Sequence, residues 1–129
     1  MTSAFPWAQV LAVAGGAAVG AVLRWAAGLW LSGTWSGFPL GTLFVNCLGG
    51  LLVGAALLWF ERAPNELLRL LLVTGFLGGL TTFSAFSAES LLLLQRGHGV
   101  LAASHTLAHV VGALVCALAG YRVAQLALG

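Results

Sequence analysis

Apolar residues fill four long stretches of the chain, and short polar or glycine-containing stretches separate them. The apolar stretches are residues 7–31, 40–60, 66–95 and 100–126. A helix needs about 20 apolar residues to cross a bilayer, and each stretch reaches that length. The pattern therefore predicts an all-α membrane protein with four transmembrane helices, called spans one to four below. We expect residues 1–129 to form a single integral membrane domain, with a loop from Ser32 to Pro39.

The third span contains a stretch that disfavours a continuous helix. Residues 75–87 include three glycines, two threonines and two serines. Glycine destabilises a helix by about 1 kcal/mol relative to alanine, and threonine is stiff at χ1. Lipid cannot hydrogen-bond an unwound backbone, so such a segment must be covered by protein or by a water-filled cavity. We predict a break near residues 77–82, in mid-membrane, with free carbonyls and hydroxyls that form a polar site.

Two polar side chains share a helix face with glycines spaced four residues apart. Arg24 follows Gly16 and Gly20, and Asn46 precedes Gly50. Such glycines let another helix approach closely. Arg24 is either an anion-attracting group in a vestibule, or an arginine that reaches the surface or caps helix carbonyls. The amide of Asn46 needs a partner near the membrane centre, which is either a ligand or a neighbouring helix.

The last two spans carry ionisable side chains within apolar sequence. Glu89 is the only carboxylate well inside an apolar stretch, where it is either functional or wetted at the helix end. His105 and His109 lie four residues apart, a spacing that can bind metal, but no third ligand sits at a supporting position. We therefore expect the two histidines to line a polar path or to hydrogen-bond across helices.

Composition excludes several classes of protein. The chain is 60% hydrophobic and 6% charged, with a mean hydropathy of +1.04. The net charge of +2, from five arginines against three glutamates, is too sparse for a nucleic-acid interface.

We expect no cleavable signal peptide, because the first residues lack a basic leader. Cys47 and Cys116 lie in apolar stretches and are expected to be reduced packing residues.

The distribution of arginines gives little preference for one orientation in the membrane. Arg62, Arg69 and Arg122 fall on the side of both predicted termini, whereas Arg96 and Arg24 fall on the other. This is a weak bias under the positive-inside rule, so the chain could insert both ways. Tightly packed helices leave the intramembrane polar groups uncovered within one chain. We therefore expect a homodimer as the functional unit, with an antiparallel arrangement as one option.

Three motifs resemble the bacterial fluoride channel family known as Fluc or CrcB. They are Gly20 to Arg24, Gly41 to Asn46, and Gly78 to Glu89. The resemblance covers essentially the whole chain. It implies a multi-pass protein of the bacterial inner membrane, assembled as a dual-topology antiparallel homodimer. It also implies passive export of cytoplasmic fluoride through two pores at the dimer interface.

The resemblance assigns roles to particular residues. The ring edges of Phe83 and Phe86 would face fluoride, and the amide of Asn46 would replace water on the ion. A central structural sodium ion would be held by backbone carbonyls of Gly78 and Thr81. The full fluoride pathway would include Asn46, Phe83, Phe86, Ser84, Thr82, Arg24, Glu89, His105 and His109.

The sequence departs from the family pattern at three positions. Ala85 stands where threonine is usual, and His105 and His109 stand where tyrosine and serine are usual. A histidine gains charge near about pH 6.5, unlike either usual residue. We predict that acid pH changes fluoride flux and that replacing both histidines removes the change. Flux measured against pH in proteoliposomes tests this, and identical profiles in the two proteins would contradict it.

Two other classes of function fit parts of the sequence. A small multidrug-type proton-coupled exporter also has dual topology, but it needs an ionisable carboxylate, typically in the first helix. The first span has Arg24 and no acid. A non-transporting assembly subunit would need only the glycine contacts, and fluoride passage through the purified protein would exclude it. No nucleophile–base pair or nucleotide-binding loop in the sequence argues for an enzyme.

Overall fold

The structure, a computed structural model, describes residues 4–31 and 38–129. Those residues form helices and short connections, with no strand among them. The first, second and fourth spans are α1 (Trp7–Leu31), α2 (Leu40–Arg62) and α6 (Gly99–Leu128). With the third span, Glu66–Gln95, they make four described helices long and apolar enough to cross a membrane. The predicted fold class of four membrane-spanning helices is confirmed; most of the predicted loop, residues 32–37, lies outside the described residues.

The third span is interrupted near its middle. Its parts are α3 (Glu66–Arg69), a π-helical segment (Leu70–Leu77), α4 (Gly78–Leu80) and α5 (Phe83–Gln95). Between α4 and α5 the backbone is extended, with φ −89° and ψ 154° at Thr81 and φ −151° and ψ 122° at Thr82. The predicted bend is therefore present, and it is narrower than the glycine-rich stretch, which stays helical through Leu80. These two extended threonines are called the break below.

Glycines mark the closest helix contacts in the fold. The first span packs against the first half of the third, where Gly16 meets the Leu71 carbonyl. On the other side of that contact, a methyl group on Gly75 would lie 2.7 Å from Val13 O. A methyl group on Gly50 of α2 would lie 2.6 Å from Ala113 O of α6. Small residues are needed at such backbone contacts because membrane helices associate through close packing.

The packing places the break between two pairs of helices. The first span lies against the third on one side, and α2 lies against α6 on the other, with α5 also packed on α6. The buried apolar cluster next to the break consists of Val45, Leu77 and Leu80. Cys47 and Cys116 are both free thiols, as predicted. Elements from three spans therefore surround the break and supply its polar partners.

Candidate functional site

The side chain of Asn46 bridges the break in the third span. Its Nδ2 donates to Thr82 O at 3.0 Å, and Thr82 N donates to its Oδ1 at 2.8 Å. The amide thus satisfies both backbone groups of a residue that the helix no longer pairs. Unpaired backbone groups are costly in lipid, so this bridge allows the third span to stay unwound inside the membrane.

The same amide determines which ring nitrogen of His109 carries the hydrogen. Its orientation is set by Thr82, because the Thr82 N–H must meet an oxygen and the Thr82 carbonyl must meet an N–H. Asn46 Nδ2 also lies 3.0 Å from Nδ1 of His109, so Nδ1 accepts and the neutral ring carries its hydrogen on Nε2. His109 is 5% exposed, and its Nε2 has no hydrogen-bond partner among the described residues. Within the part of the chain that the structure describes, the site therefore contains a buried hydrogen-bond donor without an acceptor.

The break also releases backbone carbonyls from helical pairing. In a continuous helix, the N–H of Thr82 would bond to the Gly78 carbonyl, and the N–H of Ala85 would bond to the Thr81 carbonyl. Instead Thr82 N donates to Asn46, and Ala85 N donates to Thr82 Oγ1 at 3.1 Å. The carbonyls of Gly78 and Thr81 are thus relieved of these donors and are available as oxygen ligands.

Arg24 reaches the break from the first span. Its Nε donates to Gly79 O at 3.1 Å. This contact corresponds to the carbonyl-capping interpretation of Arg24. It also places a positive charge next to the break, in a partly buried position. The role of Arg24 in a vestibule stays a prediction.

A second polar layer lies next to the break, towards the start of α2 and α6. The Thr42 hydroxyl donates to Glu89 Oε1, and Glu89 Oε2 lies 3.2 Å from His105 Nε2. Nδ1 of His105 lies 2.9 Å from Ser90 Oγ. Because His105 is fully buried, at 0% exposure, every polar atom of its ring depends on these partners. Glu89 is therefore held in place by side chains of α2 and α6.

The predicted aromatic pair occupies an open groove along the break. The rings of Phe83 and Phe86 lie edge to face at 5.3 Å, and Phe86 packs on His109 at 4.7 Å. Phe86 is 8% exposed, whereas Phe83 is 78% exposed. The groove has a volume of about 520 Å³. Its lining includes Asn46, Gly78, Thr82, Phe83, Phe86 and His109.

The structure brings most of the predicted site residues into one continuous network. Asn46, Thr82 and His109 form its first layer, with Ser84 Oγ 3.2 Å from Thr82 Oγ1. Glu89 and His105 form the second layer, next to the first. Phe86 joins the layers, since its ring also stacks on His105 at 5.7 Å. Arg24 stands apart, on Gly79.

The sequence analysis did not predict that Thr42 and Ser90 belong to the network. It also did not predict that Glu89 lies beside the two histidines. Thr42 gave a signal, because it precedes Asn46 by four residues and therefore shares its helix face. Ser90 gave none beyond its hydroxyl. We expected no third metal ligand beside the two histidines, and this expectation was wrong. Packing of α5 on α6 brings Glu89 next to them. A contact between different spans leaves no trace in local spacing.

These features define a multi-pass membrane protein with a polar site at a broken intramembrane helix. The family model described as "CrcB-like protein, Camphor Resistance (CrcB)" matches residues 11–121. The chain therefore belongs to the CrcB family.

Curated relatives cover most of the chain. It is 56% identical over 113 residues to a fluoride-specific ion channel FluC of Aromatoleum aromaticum, a match that spans 86% of each chain. A protein of the same name from Pseudomonas aeruginosa is 50% identical over 116 residues, which are 88% of this chain and 91% of the relative. The relative of that name from Nitrosomonas europaea is 47% identical over the same length. The name of these relatives denotes an ion channel, which is not a class of enzyme.

Proposed function

We propose that this protein is a fluoride-selective channel that lets cytoplasmic fluoride leave the cell passively. The observation that carries this proposal is the buried Nε2–H of His109, which has no acceptor among the described residues and lies beside the Asn46 bridge. A buried donor without a partner is unfavourable by about 1–3 kcal/mol. A small anion that accepts strong hydrogen bonds would remove this penalty, and fluoride is such an anion. The names of the relatives support the same ion.

Selectivity against chloride would come from a narrow path that replaces the hydration of the ion with a few fixed donors. The donors are the His109 Nε2–H and the hydroxyls of Thr82 and Ser84. The positive ring edges of Phe83 and Phe86 would extend the path, because they attract an anion without a hydrogen bond. A larger, weaker acceptor such as chloride gains less from the same groups. Glu89 and His105 would lie at the end of the path.

The second part of the proposal is that two copies assemble into an antiparallel homodimer with a pore on each side of the interface. In one chain the groove at the break is open, and Phe83 is 78% exposed. A second copy seated on this groove would cover it, and two-fold symmetry would produce two equivalent paths. Such a dimer would lie in the bacterial inner membrane, with no catalytic role.

We also propose a structural sodium ion at the carbonyls of the break. Gly78 and Thr81 have backbone oxygens that the helix no longer pairs, and hard cations bind oxygen. A bound sodium ion would supply positive charge between the two copies and would hold the two breaks together. This ion would have a structural role, separate from the fluoride path.

The antiparallel arrangement predicts equal access from both sides of the membrane. A cysteine introduced at His98, in a variant with Cys47 and Cys116 replaced by alanine, should react with impermeant maleimide from either side. About half of the population should be labelled from outside in intact cells, because the positive-inside bias of the chain is weak. Labelling from one side only would remove the antiparallel arrangement and leave the channel proposal in place.

Growth of a fluoride-sensitive bacterial strain tests the proposed function in cells. Expression of this protein should restore growth on fluoride, whereas an empty vector should not. Expression of the Asn46→Leu variant, at matched membrane levels, should also fail to restore growth. Failure of the wild-type protein to restore growth, despite normal levels in the membrane, would contradict the proposal.

A further inference from the structure

We propose that Glu89, His105 and His109 form a binding site for a divalent transition-metal ion, with Zn²⁺ as its representative. One potential ligand atom from each residue lies within 4.8 Å of those of the other two. The two imidazoles are 0% and 5% exposed, and Nε2 of His109 has no partner among the described residues. The cluster therefore offers three potential metal ligands, and one of them is a buried nitrogen without a partner among the described residues.

The donor set selects the class of metal. Two imidazole nitrogens and one carboxylate oxygen are a common ligand set for zinc, with the fourth position open to water or another ligand. Tetrahedral zinc with bonds of about 2.0 Å needs ligand atoms about 3.3 Å apart. His105 Nε2 and Glu89 Oε2 already lie 3.2 Å apart, so one edge of such a site is preformed. Magnesium and calcium prefer oxygen ligands alone and do not fit.

The partners behind two of the three ligands also suit a metal. A ligating histidine usually directs its other ring nitrogen to an acceptor, and a ligating carboxylate is usually hydrogen-bonded. Nδ1 of His105 lies 2.9 Å from Ser90 Oγ, so Nε2 is the nitrogen that faces Glu89. The Thr42 hydroxyl donates to the other oxygen of Glu89. These contacts hold both side chains in place before any ion arrives.

The third ligand connects the metal to the break. For Nε2 of His109 to bind a metal, its hydrogen must leave that nitrogen, and Nδ1 then carries a hydrogen that needs an acceptor. The Asn46 amide would have to turn its oxygen towards His109 and release the Thr82 N–H. A bound metal would also remove the His109 donor from the path. We therefore expect zinc to lower fluoride flux.

The cluster lies near one end of the helices, towards the first residues of α2 and α6. His105 lies six residues after Gly99, the first residue of α6, which is a rise of about 9 Å at 1.5 Å per residue. Thr42 lies in the first turn of α2 at the same end. Within the cluster, the side chain of Glu89 is 23% exposed and that of His105 is 0% exposed. This site is separate from the proposed sodium ligands, which are backbone oxygens.

Zinc titration of the purified, full-length protein in detergent tests the site without any flux measurement. Calorimetry should show one saturable site per chain, and Co²⁺ should give the visible absorption of a tetrahedral complex. Single variants His105→Gln, His109→Gln and Glu89→Gln each remove one ligand and keep a polar side chain, so affinity should fall about 100-fold in each. His98→Gln is the matched control, because it removes the exposed histidine outside the cluster. It should bind zinc like the wild type.

Each variant must keep the size-exclusion elution volume and the helical circular dichroism of the wild type. Because three ligands are replaced separately, the test still holds if one variant misfolds. Absence of saturable binding by the wild type would overturn the proposal. So would unchanged affinity in all three ligand variants, or an equal loss in His98→Gln. Zinc binding by a protein that conducts no fluoride would keep the metal site and reject the channel. Fluoride flux without zinc binding would keep the channel and reject the metal site.

Discussion

Replacement of Asn46 by leucine is expected to abolish fluoride efflux and to destabilise the protein by about 4 kcal/mol. Leucine has the same number and branching of side-chain heavy atoms but leaves the N–H and carbonyl of Thr82 without their partners. Each unsatisfied buried group is unfavourable by about 1–3 kcal/mol. Unfolding in mixed micelles measures the stability, and fluoride release from proteoliposomes measures the efflux.

Two further variants separate the parts of the Asn46 bridge. Asn46→Asp keeps an oxygen for Thr82 N but loses the donor to Thr82 O and His109, so it should regain part of the stability and none of the flux. Asn65→Ala is the matched control, because Asn65 Oδ1 caps the exposed start of the third span at 3.0 Å from Leu68 N. It should lose about 1 kcal/mol and no flux. Wild-type flux in Asn46→Leu would contradict the role of the bridge.

Gly16→Ala is expected to destabilise the protein by about 2 kcal/mol, in the range for overpacked contacts. An added methyl group at this position meets the carbonyl of Leu71 and the backbone N of Phe76, the latter at 2.7 Å. The first span would have to move away from the third, and the contact that positions Arg24 on Gly79 would be disturbed. Unfolding in mixed micelles measures the change.

The adjacent residue provides the control for this contact. A methyl group on Gly15 meets no atom within 4 Å, so Gly15→Ala should keep wild-type stability or gain up to about 1 kcal/mol from helix propensity. Both variants change one glycine to alanine in the same helix, so they differ only in what the methyl group meets. Equal stability of the two variants would contradict the close packing of the first and third spans.

The apolar pattern was sufficient to predict the spans, because each helix must cross the same thickness of lipid. The break was also predictable, since Gly78, Gly79 and the two threonines disfavour a helix locally. The break lies within the predicted residues 77–82. Its restriction to two residues was not predictable, because that depends on which residue another span can bridge. Only the packed structure shows that Asn46 binds Thr82, which confines the extended backbone to Thr81 and Thr82.

Contacts between spans are the part that the sequence could not predict. Spacing placed Phe83 and Phe86 on one face, and their rings do lie together, yet one is buried and the other exposed. Spacing likewise paired His105 with His109 but gave no sign that Glu89 lies beside them. Burial and partners depend on how α5 and α6 meet, which a period of 3.6 residues within one helix does not encode.

The ratio of fluoride to chloride efflux from proteoliposomes tests the central claim most directly. Vesicles holding the purified wild-type protein and either potassium salt are opened to potassium flow with an ionophore, and ion-selective electrodes record release. The account predicts rapid release of fluoride and chloride release no faster than from protein-free vesicles. Equal release of both anions, or fluoride release no faster than from protein-free vesicles, would contradict it.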